Sequence, residues 1–385
     1  MKNYQIVTLM AASVILAACK PDTEAGAPDV AESTTAAVTE VELPVHYSVI
    51  NLTNVDNPLK LTALCESENE RMRQHMANLE SFQGKATLDS YYKSLDSLAT
   101  SLGNMSSVAQ SLSAIHPDAQ LRAAGENCAQ LLADIGTDLS LSRPIYEAVS
   151  QLDVSNEEAA TQHSVEKALL GFRLSGVDKD EATRQRIREL NSEIVKTGQT
   201  FDRNIRDDVR TLELSSVEDL AGLPQDYIDA HPPGDDGKIR ITTQYPDLFP
   251  FITYSESDAL RKELLTMYGN RAYPQNKEVL EQLMALRFEL AQLIGFENYA
   301  QLVTADKMVG SPERVEGFLE ELKGYTTEAN DRDYNILLER LRQDQPDAER
   351  VESWQSAYIT EKVRRERYQV DSKETREYFN YDNTR

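Results

Sequence analysis

LEQLMALRFELAQLIGFENYAQLVTADKMVGSPERVEGFLEEL, running from Leu280 to Leu322, decides the architecture. Leu283, Leu286, Leu290 and Ile294 recur at the spacing of one helix face, and Gly295 follows where a helix that stops needs a residue tolerant of positive φ. Asn298 to Val303 carries a second, shorter helical pattern. Ser311 and Pro312 mark a third start, because a hydroxyl can cap orphan N–H groups and proline fits a first turn that needs no N–H partner. The stretch reads as helix, tight turn, helix, loop, helix, with Leu290, Met308 and Phe318 expected to pack.

The same periodicity extends upstream. Asn57 and Pro58 open a first long helix with Leu61, Leu64, Met72, Met76 and Leu79 along one face. Further helical patterns run from Leu88 to Leu112 and from Asp118 to Leu139, and another begins near Pro144, as in an antiparallel helical layer. Gly176 closes a later helix, Asp178 with Glu181 reads as the capping pair of the next, and Ile187, Leu190, Ile194, Phe201 and Ile205 keep helical spacing after it. The regime breaks once. Thr211–Leu214 and Lys238–Thr243 have strand character, the second follows the turn-rich HPPGDDG, and a helical SSVEDLAGLPQDYIDAH lies between them. Ser255 with Asp258 then reads as a helix start, and Trp354, Tyr358 and Glu361 share one side of a further helix.

The chain has 385 residues, and 40% hydrophobic content is enough for a large core. Its 64 acidic against 40 basic residues, a net charge of −24, disfavour any sequence-independent hold on phosphate backbones, so nucleic acid is not an expected partner.

At the N-terminus Lys2 precedes an apolar run from Ile6 to Ala18, too short to span a membrane as a mature helix and of the length of a signal-peptide core. It ends in Leu16, Ala17, Ala18 and Cys19, which resembles the lipobox of bacterial lipoproteins. That resemblance implies lipidation of Cys19 and, with Lys20 rather than Asp after it, retention at the outer membrane facing the periplasm. Residues from Lys20 to about Pro44 lack aromatic side chains and read as a flexible tether. Cys65 and Cys128 each fall on the apolar face of a helical pattern. As buried thiols they need no function, but in an exported chain they are expected to pair as a disulfide.

Several passages share wording with one family. Leu290, Gly295, Asn298, Tyr299, Ala300, Lys307, Met308, Ser311, Pro312, Val315 and Phe318 stand where the zinc metallopeptidase family of thimet oligopeptidase, oligopeptidase A and peptidyl-dipeptidase has them. Phe172, Arg173, Gly176, Asp178, Arg186, Leu190, Phe201 and Asn204 resemble the same family, as do Trp354, Tyr358, Glu361, Tyr368, Val370, Asp371, Arg376, Glu377, Tyr378 and Phe379. The chain departs from the pattern at Gln355, where the family has Asp, and at Ala357, where it has Tyr. The resemblance implies a mainly α protein, here a neurolysin-like N-terminal lobe with a small two-stranded β insertion. It also implies zinc as cofactor and hydrolysis of short peptides by a zinc-activated water.

The metal motif itself is missing. A zincin needs two histidines one helical turn apart with a glutamate between, and His46, His75, His116, His163 and His231 each stand alone. No metal ligand or catalytic residue is assigned. There is no G-x-S-x-G elbow, no phosphate loop and no dinucleotide fingerprint. The 17 tyrosines could line a peptide channel but need no function on half-buried helices.

The expected organisation is a lipoprotein signal over 1–18, a tether over 19–56, a helical lobe over 57–210, a β insertion and connector over 211–250, and over 251–385 a helical region leading into a catalytic half that is absent from this sequence. Two functions follow. One is the N-terminal portion of a lipid-anchored zinc oligopeptidase. The other is a non-enzymatic helical lipoprotein that binds peptides or serves as a scaffold.

Overall fold

The computed structural model describes residues 43–47, 55–370 and 376–379; the signal, Cys19 and most of the tether lie outside them. Among the described residues there are thirteen α-helices and one two-stranded sheet, a mainly α architecture. None of the helices is long and apolar enough to cross a membrane. By contact the chain forms two compact units, each built from two stretches. Residues up to Gln199 with Gln282–Pro312 make the first, and Thr200–Glu281 with residues from Glu313 onward make the second.

In the first unit, α1 (Pro58–Glu80), α2 (Lys93–Ile115) and α3 (Ala119–Ser140) form the main layer. Asn57 caps α1, its side chain accepting from the Lys60 N–H, and Asp118 caps α3 through the N–H groups of Gln120 and Leu121. Each helix buries one stripe: Leu61, Met72 and Leu79 from α1, Leu98 and Met105 from α2, Leu121, Leu132 and Ile135 from α3. Gly125 shows how closely α2 and α3 approach. A Cβ there would lie 2.8 Å from the Ser113 nitrogen and 2.9 Å from the Ala109 carbonyl oxygen, both backbone atoms of α2. Cys65 and Cys128, both buried, are joined by a disulfide that ties α1 to α3.

Residues 43–47, part of the expected tether, are docked rather than loose. Leu43 is buried, the Pro44 carbonyl accepts from the Ser94 hydroxyl, and both backbone groups of His46 bond to serines of α2.

The first unit continues through α4 (Arg143–Ser150), α5 (Ala159–Ser175) and the first part of α6 (Glu181–Asp207). Gly176 ends α5 at φ 90°, with the Val177 N–H returned to the Phe172 carbonyl. The cap of α6 is Asp180, not Asp178. Its carboxylate accepts from the Thr183 N–H and hydroxyl, because the turn after Gly176 consumes the residues before it. Against Ile187 and Leu190 of α6 pack Leu286, Leu290, Ala291 and Ile294, which belong to α10 (Gln275–Ile294). Gly295 stops α10 at φ 111°, and Asn298 caps α11 (Tyr299–Thr304) through the Gln301 N–H. Leu290 is therefore packed as expected. Met308 is not; it is fully exposed in the turn after α11.

In the second unit the strands β1 (Thr211–Leu214) and β2 (Ile239–Thr242) pair antiparallel, Thr211 opposite Thr242 and Leu214 opposite Ile239. Leu212, Leu214, Ile239 and Ile241 turn inward and the alternate residues outward, the period-two pattern of a half-buried ribbon. The segment between them is not one helix. A 3-10 turn at Val217–Leu220 and α7 (Gln225–Ala230) are separated at Gly222, whose φ of 88° and approach to the Tyr254 carbonyl exclude a side chain. The apolar ribbon face meets Leu248 and Phe251 of α8 (Tyr245–Tyr254) and Leu264 of α9 (Asp258–Gly269). Ser257, two residues later than expected, caps α9 through the Leu260 N–H, since the buried Ser255 hydroxyl accepts from the Ser257 N–H. The long α12 (Pro312–Asp344) and α13 (Ser353–Tyr368) complete the unit.

The Cys65–Cys128 link closes a loop across a sequence separation of 63, and its loss should free that loop in the unfolded ensemble. The double variant C65A/C128A is expected to lose about 4 kcal/mol in urea unfolding. Unchanged midpoint and slope would show that the bond constrains nothing.

Candidate functional site

In the second unit α9 and α13 assemble a set of polar side chains around Arg261, whose side chain is 3% exposed. A buried guanidinium must direct its N–H groups at acceptors or leave them unsatisfied. Here Nη1 donates to the Ser255 carbonyl at 2.5 Å, Nη2 to Asp258 Oδ1 at 2.7 Å, and Nε to the Trp354 carbonyl at 3.2 Å. The Tyr358 ring lies 4.0 Å from its central carbon, and Lys262 sits 4.6 Å over the Trp354 ring. Burial pushes Arg261 below the ordinary arginine value, while Asp258 beside it works in the opposite direction.

Asp258 is the shared acceptor. Its second oxygen takes the Trp354 indole N–H at 3.0 Å, and Oδ1 also takes the Gln355 amide at 3.1 Å. The Gln355 carbonyl in turn caps α13 by accepting from the Glu352 N–H. Gln355 is thus built in as a donor to Asp258, a contact an aspartate could not make as an anion. Glu361, buried one turn after Tyr358, pairs with Arg364. Trp354 and Tyr358 therefore tie α13 to α9, while Glu361 is paired within α13.

The histidines are spread through the chain. His231 in the second unit donates from Nδ1 to the Tyr227 carbonyl at 2.7 Å, has Nε2 3.2 Å from Asp247 Oδ1, and stacks its ring on Tyr227 at 4.3 Å. In the first unit His75 is buried against Ser94, His116 accepts from the Asp118 N–H, and His163 is exposed. Among the described residues no three His, Cys, Asp or Glu side chains gather where they could hold a metal ion, so these residues do not fit zinc. Of the other expected site residues, Cys19 lies outside the described residues, and Cys65 with Cys128 are consumed by their disulfide.

The first unit has an open cleft of about 300 Å³ lined in part by Glu80, Asp138, Arg143, Glu181, Arg184 and Arg188. Three cations face three anions, and Arg188 bonds both Glu181 and Asp138, so the cleft selects no ligand by charge. In the second unit the first half of α12 is bare. Phe318, Leu319, Leu322 and Tyr325 are each about half exposed or more, against the expectation that Phe318 packs. Leu338 and Leu341, farther along the same helix, are buried. Sequence periodicity could place Phe318 on an apolar face but not say whether anything covers it.

Two family models match the chain in succession. The model described as Neurolysin/Thimet oligopeptidase, N-terminal domain matches residues 66–184, and Peptidase family M3 matches residues 251–385. Oligopeptidase A of Salmonella typhimurium is 29% identical over 296 residues, covering 72% of this chain and 43% of the relative. Oligopeptidase A of Haemophilus influenzae is 29% identical over 286 residues, or 70% and 42%. Saccharolysin of Saccharomyces cerevisiae is 26% identical over 282 residues, or 69% and 39%. The chain thus spans less than half the length of these relatives.

Removing the guanidinium should leave the Ser255 and Trp354 carbonyls and the partly exposed Asp258 without their shared donor, a loss of about 1–3 kcal/mol. Arg261→Met is expected to lower the unfolding midpoint accordingly, and Arg261→Lys to restore little, because an ammonium cannot reach three separated acceptors. Full stability of either variant by thermal and urea unfolding would remove Arg261 as the organiser of these helices.

Proposed function

We propose that this chain, which matches the Peptidase family M3 model over residues 251–385, forms the N-terminal portion of a zinc-dependent metallo-oligopeptidase acting on short peptides. The observation that carries the reading is the order of the two family matches, an oligopeptidase N-terminal domain followed by the M3 region, on a chain covering 43% of its bacterial relative. The mainly helical architecture of the described residues and the turns at Gly295 and Asn298 support it. In this reading the H-E-x-x-H ligands and the base belong to the part of a family-length chain that follows residue 385. The present residues supply helical framework, and His46, His75, His116, His163 and His231 take no part in bond cleavage. The uncovered apolar residues of α12 supply a face for further chain to pack on.

The second reading, a helical peptide-binding or scaffold lipoprotein without catalysis, draws on one observation: the described residues gather no metal-binding set. Both readings share an exported chain, anchored by lipid at Cys19 and retained at the outer membrane facing the periplasm. The Cys65–Cys128 bond supports an oxidising compartment.

The purified 385-residue chain is expected to bind no stoichiometric zinc and to cleave no peptide, measured by metal analysis and by release from quenched fluorescent peptides. Chelator-sensitive cleavage would overturn the assignment of the chemistry to downstream residues. Coding sequence beyond Arg385 is expected to encode H-E-x-x-H, and a stop codon there would decide for the scaffold. For the anchor, Cys19→Ser should abolish incorporation of radiolabelled palmitate and move the protein from the membrane to the soluble fraction; unchanged labelling and fractionation would sink the lipoprotein assignment.

A further inference from the structure

Three serines of α2, Ser94, Ser97 and Ser101, are all buried and lie on one helix face at spacings of three and four. They hold the backbone of residues 43–47. Ser94 Oγ donates to the Pro44 carbonyl at 2.5 Å, the His46 N–H donates to Ser97 Oγ at 3.3 Å, and Ser101 Oγ donates to the His46 carbonyl at 2.9 Å. Leu43 is the buried side chain that anchors the segment, so the attachment is mainly polar.

Below the first of these bonds lies His75 of α1, 3% exposed, with Nε2 2.7 Å from Ser94 Oγ. A hydroxyl has one proton to give. Because Ser94 gives its proton to Pro44, the His75 ring must donate from Nε2, which leaves Nδ1 as the lone-pair nitrogen. That nitrogen is buried and has no partner among the described residues. The neutral ring therefore completes the chain His75 to Ser94 to Pro44, whereas a protonated ring would carry a second N–H with no acceptor. The charged and titratable groups that face the ring are Arg71 on its own helix and His46 on the docked segment, both of which oppose added positive charge. From α2 the facing group is the Ser94 hydroxyl, and among the described residues no carboxylate acts on the ring.

We propose that residues 43–47 form an acid-released strap, fastened to α2 while His75 is neutral and freed when the ring takes its second proton. The ring can take that proton only by turning toward solvent, which withdraws its hydrogen bond from Ser94 and opens the site beneath Pro44. The rest of the unit holds, because α1 is tied covalently to α3 by Cys65–Cys128 and buries Leu61, Met72 and Leu79, while the strap has one buried side chain and three hydrogen bonds. Burial, with Arg71 and His46 adding repulsion against the weaker pull of the Pro44 carbonyl, holds the His75 titration at about 4 against an ordinary 6.5. A base whose folded value is depressed stabilises above its free value, so the strap is secure above about pH 6.5 and loses its hold as acid approaches about pH 4.

Hydrogen exchange of the intact chain reads this directly at the His46 amide, corrected for intrinsic exchange rates. Between about pH 7.5 and pH 5 the opening constant of the strap should rise about 30-fold, while α3 amides keep their protection. His75→Gln, which can donate to Ser94 and does not titrate, should leave the strap closed at both pH values. Ser94→Ala, which keeps His75 but cuts the link to Pro44, should leave it open at both. A strap whose opening does not change with pH overturns the proposal, as does the same acid response in His75→Gln. Loss of α3 protection together with the strap would also overturn it, as global acid unfolding rather than release.

Discussion

A guanidinium taken out of water dictates the second unit. Arg261 has N–H groups pointing in several directions, and each has to meet an acceptor or the fold bears the full desolvation of an unpaired donor. Meeting them draws in the Ser255 carbonyl ahead of α9, Asp258 on α9 itself and the Trp354 carbonyl at the start of α13. Asp258 then needs donors for its remaining lone pairs, which the Trp354 indole and the Gln355 amide supply. One buried charge thereby sets where two helices begin and which faces they turn to each other. The apolar ribbon of β1 and β2 supplies the area of this core, and the polar node supplies its alignment.

The first unit solves the same problem with little charge. Its layer of α1, α2 and α3 depends on shape: Gly125 lets α3 approach the backbone of α2, and Cys65–Cys128 ties α1 to α3. Among the polar groups it buries, His75 and three serines of α2 form a neutral network through hydroxyls and backbone, with His75 Nδ1 left unpartnered. A neutral network in a tightly packed layer tolerates no added proton, whereas the ion-paired node around Arg261 requires its charge.

Much of the fold could be read from residue order, because helix stripes and stops are local. Gly295 and Gly176 end helices where their tolerance of positive φ suggests, Asn298 caps the short helix, and the two strands alternate inward and outward as their period requires. Caps shifted by two residues, from Asp178 to Asp180 and from Ser255 to Ser257, because several nearby side chains can cap and only turn geometry chooses among them. The discontinuous units and the Arg261 node were not legible. Both depend on contacts between stretches roughly a hundred residues apart, and Asp258 with Arg261 reads locally as an ordinary i, i+3 pair. Exposure was also hidden: an apolar stripe predicts a face and not its partner, hence Phe318 bare and Leu290 buried.

The passages that resemble the peptidase family do structural work in this chain. Gly295 and Asn298 turn and cap, Trp354 and Tyr358 stack on cations, and Glu361 is paired. Every one of these roles is complete within the described residues. Phe318, Leu319, Leu322 and Tyr325 are the contrary case, because apolar area on one face of a long helix has no role in water and is stabilised only by burial. Leu338 and Leu341 on the same helix do find cover. The difference between the two halves of α12 is thus one of partners rather than of the residue types on the stripe.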